Sequence, residues 1–213
     1  MSPQHRQLAI EMATTNPDHE SCQPGNTDAD RDDALDEFSE LVTRAQRGDS
    51  EAFRALYRDT QPRILRYLRA LVADDAEDIA SETWLNVARD LHAFHGDDDH
   101  FRGWVTTIAR NRALDHKRSA SRRLYTIPVP AEDLAGLAAS DDTATCAIDA
   151  VATTNALRLI ATLPRDQAEA VLLRAVVGLQ ATTAAEVLGK RPGAVRTAAY
   201  RGLRTLARHF EEK

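Results

Sequence analysis

The stretch TTAAEVLGKRPGAVRTAAYRGLRTLARHF, residues 182–210, contains the clearest structural signal in the chain. Gly189 follows a short segment of helix-forming residues and is favourable at the end of a helix. Pro192 is favourable at the first position of the next one. A short helix, a glycine turn and a longer helix together predict a helix-turn-helix motif.

The longer helix of this motif separates its residues into two faces. With successive residues 100° apart, one face collects an apolar set: Val195, Ala199, Gly202, Leu203, Leu206 and Phe210. The other face collects a polar set: Gly193, Arg196, Thr197, Tyr200, Arg201, Arg204 and Arg208. No Asp or Glu occurs between residues 190 and 210, whereas solvated helix faces usually include acidic partners. The pattern therefore favours a face that contacts nucleic acid over an ordinary solvated face.

Helical periodicity continues through the rest of the chain. Apolar residues recur at spacings of three and four in residues 51–72, 79–91 and 101–114, with Pro62 marking a predicted bend or new start. In the second of these segments the apolar stripe is Ile79, Leu85, Ala88 and Leu91. No strand pattern competes with this periodicity. The sequence therefore predicts an all-α protein.

Charge is segregated along the chain, although the net charge is only −6. Residues 101–123 carry +6 and residues 151–213 carry +5, while the segments before and between them are acidic. Acidic, proline-containing segments without large apolar residues are typical of disorder and of linkers. We therefore predict four parts: a disordered acidic extension at 1–36, a helical domain at 37–123, a flexible acidic linker at 124–150 and a helix-turn-helix domain at 151–213.

Several classes of protein are not indicated. The sequence has no apolar run of the ~20 residues that span a bilayer and no signal-peptide pattern, so we expect a cytoplasmic protein. Cys22 and Cys146 have neither disulfide nor zinc spacing. No phosphate-binding loop or nucleophile motif is present, which predicts a protein that is not an enzyme and has no cofactor. His92, His95 and His100 flank three aspartates in a glycine-containing segment, a pattern without fixed ligand geometry, so no metal site is predicted.

The basic block FRGWVTTIARNRALDHKRSASRR, residues 101–123, differs from the helix-turn-helix. Arg102, Arg110 and Asn111 are polar positions between apolar ones, and a dense cationic run follows from Lys117. Arginines with an Asn and an aromatic residue suit single-stranded or distorted nucleic acid. Trp104, at helical spacing from other apolar residues, is read as a core residue rather than a platform for base stacking.

An acidic stripe precedes this block in DDAEDIASETWLNVARDLHAF, residues 74–94. Asp75, Asp78 and Glu82 share one helix face. One interpretation is an acidic helix start that favours the helix dipole. The other is a surface for docking a basic protein, because an acidic stripe repels DNA.

Taken in order, these segments resemble a bacterial RNA polymerase sigma factor of the extracytoplasmic-function type, in the sigma-70 family. The similarity runs from about residue 40 to residue 210. It rests on DAEDIASETWLNVARDLHAF, FRGWVTTIARNRALDHKR, LPRDQAEAVLLRAVVGL and AAEVLGKRPGAVRTAAYRGLRTL. The resemblance implies a non-catalytic polymerase subunit with two helical domains. The implied partners are core RNA polymerase, promoter DNA and an anti-sigma factor.

The resemblance also implies roles for individual residues. The polymerase-docking segment corresponds to Asp75, Asp78 and Glu82, with Trp84 nearby. The segment that opens and reads the minus-ten element corresponds to Arg110 and Asn111, with Arg102, Lys117 and Arg118 beside them. The helix that reads the minus-thirty-five element corresponds to Arg191, Arg196, Thr197, Tyr200, Arg201 and Arg204. Thr197 with Ala198, and Ser81, depart from the Ser-Arg pair and the glutamine common in the family.

Two other functions are compatible with the helix-turn-helix alone. One is a stand-alone transcriptional regulator with an additional helical domain for an effector or for dimerisation. The other is an adaptor that sequesters another regulator. The acidic stripe joined to the block at 101–123 favours the sigma factor, because neither alternative needs a polymerase-docking surface.

Overall fold

The computed structural model describes residues 28–126 and 155–211 of the chain, with side chains described over 36–120 and 155–209. Within these two ranges the regular structure is helical, with no strand, which confirms the all-α prediction. No helix in these ranges is long and apolar enough to cross a membrane. Cys22, Cys146 and residues 127–150 of the predicted linker lie outside the described ranges.

Four helices form the N-terminal domain: α1 Asp28–Gln46, α2 Ser50–Val72, α3 Ala76–Asp90 and α4 Asp98–Thr126. Asp49 caps α2, because its carboxylate accepts hydrogen bonds from the backbone N–H groups of Glu51 and Ala52. The domain core is formed by fully buried side chains from α2, α3 and α4: Ile64, Leu68, Val87, Phe101 and Val105. Helices α3 and α4 pack against each other and against α2.

Trp104 belongs to this core, as its spacing predicted. Its ring stacks on Phe94 with a centroid separation of 5.3 Å and packs beside Phe101. Its side chain is therefore enclosed by aromatic neighbours and is not available as a platform for base stacking.

The structure corrects two sequence-based boundaries. Helix α1 begins at Asp28, so residues 28–36, predicted to be part of a disordered extension, are helical. Helix α2 passes through Pro62 without ending, so Pro62 does not mark the new start that was one of the two alternatives predicted there. Pro62 has no N–H group to bond the carbonyl oxygen of Arg58, four residues earlier. Both residues are exposed, so water can hydrate this carbonyl group.

The C-terminal domain contains the helix-turn-helix. Residues 155–161 are helical, and α5 Arg165–Val171 continues into one π-helical turn, Leu172–Val177. Helices α6 Ala181–Leu188 and α7 Pro192–Glu211 follow. Gly178 and Gly189 end the preceding helical segments in the left-handed conformation, with φ of 86° and 63°, which glycine adopts at little cost.

A close approach fixes α7 against α5. A Cβ atom added at Gly202 would lie 2.7 Å from Cγ2 of Val171 and 3.3 Å from Cδ1 of Leu163. Glycine therefore lets the backbone of α7 approach its neighbours more closely than any larger residue would. Val195 and Ala199, on the same face, are buried.

The two domains touch each other directly. Helix α2 packs on the π-helical turn, and α4 packs on α6. The first half of the basic helix α4 therefore lies between its own domain and the helix-turn-helix domain.

Candidate nucleic-acid interface

Helix α7 has the two faces that its sequence predicts, with one exception. The residues of the polar face are exposed: Gly193, Arg196, Thr197, Tyr200, Arg201, Arg204 and Arg208. Val195, Ala199 and Gly202 are buried on the opposite side and Leu206 is half-buried, while the side chain of Phe210 lies outside the described residues. Leu203 was placed on the apolar face but is 48% exposed, because it lies only about 20° from Arg196 around the helix.

The arginines of α7 have no acidic partners in the part of the chain that the structure describes. None of Arg191, Arg196, Arg201, Arg204 and Arg208 is within ion-pair distance of a described Asp or Glu, and in this segment only Lys190 is paired, 2.8 Å from Asp166 of α5. An exposed face with uncompensated cations attracts polyanions. Guanidinium groups in a row along a helix suit phosphates and the base edges of a major groove.

The predicted minus-ten residues on α4 are divided between two environments. Lys117 and Arg118 are exposed in the C-terminal part of α4. Arg102 and Arg110 are mostly buried, with 15% and 19% of their side chains exposed. Arg102 is held by Asp98 of its own helix, and Arg110 lies 3.5 Å from Glu169 of the other domain. Asn111 is half-buried beside Arg110.

The acidic stripe lies beside the basic tail of α4. Asp75 accepts a hydrogen bond from Nε2 of His116 at 2.9 Å, and Glu82 accepts one from Nη1 of Arg112 at 3.1 Å. Asp78 is exposed and makes no ion pair with a described residue. Glu82 is thus paired with a cation of α4, and Asp75 is hydrogen-bonded to a histidine of the same helix.

Trp84 lies beneath this stripe and not on it. The side chain is only 7% exposed, its Nε1 donates to Oε1 of Gln61, and its ring packs against Phe53 and Tyr57. Trp84 therefore supports the surface from below.

Leu85 is a surface residue that the sequence reading missed, because it was counted with the apolar core of α3. It is 73% exposed, the largest exposure among the large apolar side chains of the described ranges. The signal that identifies it is its position seven residues after Asp78 and three after Glu82, which places it on the face of the stripe. Single exposed leucines are common on protein surfaces, but Leu85 lies on the same helix face as exposed carboxylates and so adds apolar area to the acidic stripe.

The three histidines lie in different environments. Nδ1 of His92 is 3.0 Å from the carbonyl oxygen of Arg89, His95 is exposed, and His100 is buried with Nδ1 2.7 Å from Oδ1 of Asp97. Among the described side chains, no three His, Cys, Asp or Glu residues are grouped closely enough to hold a metal ion.

His100 makes the stability of the fold depend on pH. Its hydrogen bond with Asp97 raises the pKa of His100 above the usual range, with the charges of Glu186 and Asp99 adding to the effect. A raised folded-state pKa contributes stability that is fully present below about pH 6.5 and is lost as the pH rises through the folded-state value. We expect the free energy of unfolding, measured with urea, to fall between pH 6 and pH 8 by more in the wild type than in His100→Gln. An equal fall in both proteins would contradict this role.

Comparison with known proteins identifies both domains. Residues 56–123 match the model of sigma-70 region 2, and residues 154–206 match that of sigma-70 region 4. Among curated relatives, the ECF RNA polymerase sigma factor BldN of Streptomyces coelicolor is 35% identical over 84% of this chain and 67% of its own length. ShbA of Streptomyces griseus, also named an ECF RNA polymerase sigma factor, is 33% identical over 83% of this chain and 96% of its own length.

Solved structures share the fold at lower sequence identity. CnrH, solved with the cytosolic domain of CnrY, superposes with a TM-score of 0.57 at 20% identity, covering 83% of this chain and 98% of CnrH. The sigma factor RpoE of Bartonella quintana, solved with the anti-sigma factor NepR, gives a TM-score of 0.56 at 21% identity and covers 75% of this chain and 96% of RpoE.

The two matched regions follow in the order expected from the sequence, and the relatives cover most of the chain. None of the relatives described above is a stand-alone regulator. The chain belongs to the extracytoplasmic-function (ECF) sigma factors of the sigma-70 family, the RNA polymerase subunits that direct promoter-specific initiation of transcription.

Proposed function

We propose that this sigma factor docks on core polymerase through one surface of α3, the docking surface, formed by Asp78, Glu82 and Leu85 with Asp75 at its start. The exposed carboxylates provide charge complementarity to a basic partner. Leu85 provides apolar area that leaves water on docking. Trp84 acts indirectly, by supporting the helix that carries the surface.

Helix α4 is proposed to contact the minus-ten element. Arg110 and Asn111 would meet the bases of the opened non-template strand, while Arg102, Lys117 and Arg118 hold its backbone. Unstacking a base costs a few kcal/mol, which stacking and hydrogen bonds to the exposed base edge can offset. The chain needs no catalytic residue for this role, because the polymerase supplies the chemistry.

Helix α7 is proposed to read the minus-thirty-five element. The observation that carries this proposal is the exposed arginine face of α7, which has no acidic partner in the described part of the chain and a buried apolar back. Arg196, Thr197, Tyr200, Arg201 and Arg204 would contact base edges or phosphates in the major groove. Arg191, at the start of the helix, would hold the backbone.

Two DNA contacts on one chain bind more tightly together than either does alone. When polymerase fixes the separation of the two domains, the second contact forms at a high effective concentration. The free chain has a net charge of −6, which works against tight DNA binding by charge alone. We therefore propose that the factor acts with core polymerase, in the cytoplasm, rather than as an independent DNA-binding protein.

An anti-sigma factor is a proposed second partner. RpoE of Bartonella quintana, which shares the fold, was solved with an anti-sigma factor. A protein that covered the docking surface on α3 would prevent this chain from reaching polymerase, and competition between the two for the purified chain would test such an inhibitor.

Run-off transcription tests the function directly. Core polymerase from a related bacterium, the purified chain and a pool of genomic fragments should give transcripts with defined start sites. Polymerase alone should give none. If no promoter-specific transcript appears with either the full chain or a chain lacking residues 1–27, the proposed function is wrong.

A further inference from the structure

Asp99 is a buried acid with no role of its own in the proposed function, although Nη2 of Arg102, a proposed minus-ten residue, lies 3.7 Å from its Oδ1. It lies in the first turn of α4, and only 9% of its side chain is exposed. Its carboxylate accepts a hydrogen bond from the backbone N–H of Gln180 at 2.9 Å and another from the hydroxyl group of Thr183. Both donors belong to the other domain, at the start of α6.

Both donors lie at the N-terminus of α6, where a carboxylate acceptor is especially favourable. Gln180 precedes the first residue of α6 and is its N-cap, where backbone N–H groups lack partners within the helix and the helix dipole favours an anion. The side chain of Gln180 does not cap the helix. Asp99 therefore supplies, from the N-terminal domain, the cap that α6 lacks.

Two further polar contacts join the domains beside this one. Nη2 of Arg110 lies 3.5 Å from Oε1 of Glu169, and both side chains are mostly buried. Nη1 of Arg63 lies 3.4 Å from the carbonyl oxygen of Val177, at the end of the π-helical turn. Charged groups buried at an interface cost free energy unless they are paired, so these contacts favour this arrangement of the two domains, although Glu169 also pairs with Arg165 of its own helix at 3.1 Å.

This arrangement conflicts with binding to a promoter. Elements centred near minus ten and minus thirty-five are about 25 base pairs apart, which is about 85 Å of B-form DNA at about 3.4 Å per pair. Two compact domains of this size in contact together span about 60 Å. Residues 127–154, fully extended, could bridge up to about 95 Å, so the chain can bind both elements only after the domains separate.

We propose that Asp99 is an intramolecular latch: by capping α6, with Arg110–Glu169 as a second contact, it holds the free chain in a closed form that cannot engage promoter DNA. In the closed form Arg110 faces Glu169 instead of DNA. The first helix of a helix-turn-helix crosses the DNA backbone, and helix N-termini bind phosphates. Asp99 therefore occupies donors of α6 that a DNA phosphate would otherwise meet. The latch itself is a property of the free chain, whereas its inhibitory effect rests on the proposed function.

The first experiment measures domain separation without DNA or polymerase. Fluorophores attached at Ser81→Cys in α3 and Ala207→Cys in α7, in a Cys22→Ser, Cys146→Ser background, report the distance between domains by energy transfer. We expect high transfer in the parent chain and lower transfer in Asp99→Ala. Loss of a hydrogen bond to a charged group should shift the open-to-closed ratio about tenfold or more. The double variant Asp99→Ala, Glu169→Gln should be more open still.

Asp115→Asn is the matched control, because Asp115 is exposed on the same helix and pairs with Arg118. It should retain the energy transfer of the parent. Circular dichroism checks that each variant keeps its helices, and Thr183→Val removes the donor from the opposite domain if Asp99→Ala does not fold. Low transfer in the parent chain, or parental transfer in the double variant, would overturn the latch.

A second measurement tests inhibition. Binding to a random-sequence duplex with an unpaired bubble should be about tenfold tighter for Asp99→Ala than for Asp115→Asn, which removes the same charge. Opened variants that bind this duplex no better than the control would show that the latch does not restrain DNA binding. The two proposals can fail separately. If the factor is inactive in run-off transcription but its domains still separate in Asp99→Ala, the proposed function is refuted and the latch is not.

Discussion

Replacing Leu85 with alanine should weaken binding to core polymerase ten- to hundredfold while leaving the fold intact. A leucine side chain that passes from water into an interface contributes about 1.5–3 kcal/mol, and each 1.4 kcal/mol corresponds to about a tenfold change in affinity. Because 73% of the side chain is exposed in the free chain, its removal leaves no cavity in the core. Fluorescence anisotropy of the labelled factor titrated with core polymerase measures the effect.

Leu203→Ala is the matched control for this change. Leu203 is also an exposed leucine, 48% accessible, but lies on α7 and outside the docking surface. Its replacement should leave affinity for free core polymerase within about twofold. If Leu85→Ala binds core polymerase as tightly as the parent chain does, the docking surface has been placed on the wrong face of α3.

Arg196→Ala should reduce discrimination between the minus-thirty-five element and random DNA by about five- to 150-fold, the range expected when a bidentate contact with a base is lost. Arg196 is exposed at one edge of the polar face and has no ionic partner in the described part of the chain. The measurement compares affinities of the holoenzyme for a promoter found by run-off transcription and for the same promoter with its upstream element randomised.

Arg208→Ala provides the comparison, because it removes the same charge from the end of the same face. It should weaken binding equally on both promoters and lower the slope of log affinity against log salt by about one. Equal losses on the two promoters for Arg196→Ala would show that Arg196 contacts only phosphate.

Sequence patterns predicted the structure correctly where the pattern lies within a single helix. Gly189 correctly marked the end of α6 and Pro192 the start of α7. The two faces of α7 followed from angular position, because burial of Val195 and Ala199 depends on a continuous apolar stripe. Leu203 was misplaced because it lies at the edge of that stripe, where small differences in packing decide exposure. Leu85 was misplaced for a related reason: periodicity shows that a residue is apolar, but not whether another helix covers it.

Contacts between distant parts of the chain could not be read from the sequence. Asp99 appeared as one of three successive aspartates, and nothing local distinguishes it from Asp97 or Asp98. Its role depends on α6, more than eighty residues away, whose N-terminus meets it only after both domains have folded. Trp84 is similar, since its place beneath the docking surface follows from packing against α2 rather than from its neighbours in sequence.

The close contact at Gly202 has a consequence for how promoter preference can change during evolution. With the α7 backbone packed against Val171 and Leu163, the helix cannot move closer to α5 without a clash, which limits how its axis can shift. Substitutions at Arg196, Tyr200 or Arg204 then exchange one contact with DNA without reorienting the others. Paralogues that retain this glycine should therefore diverge in target sequence one base position at a time.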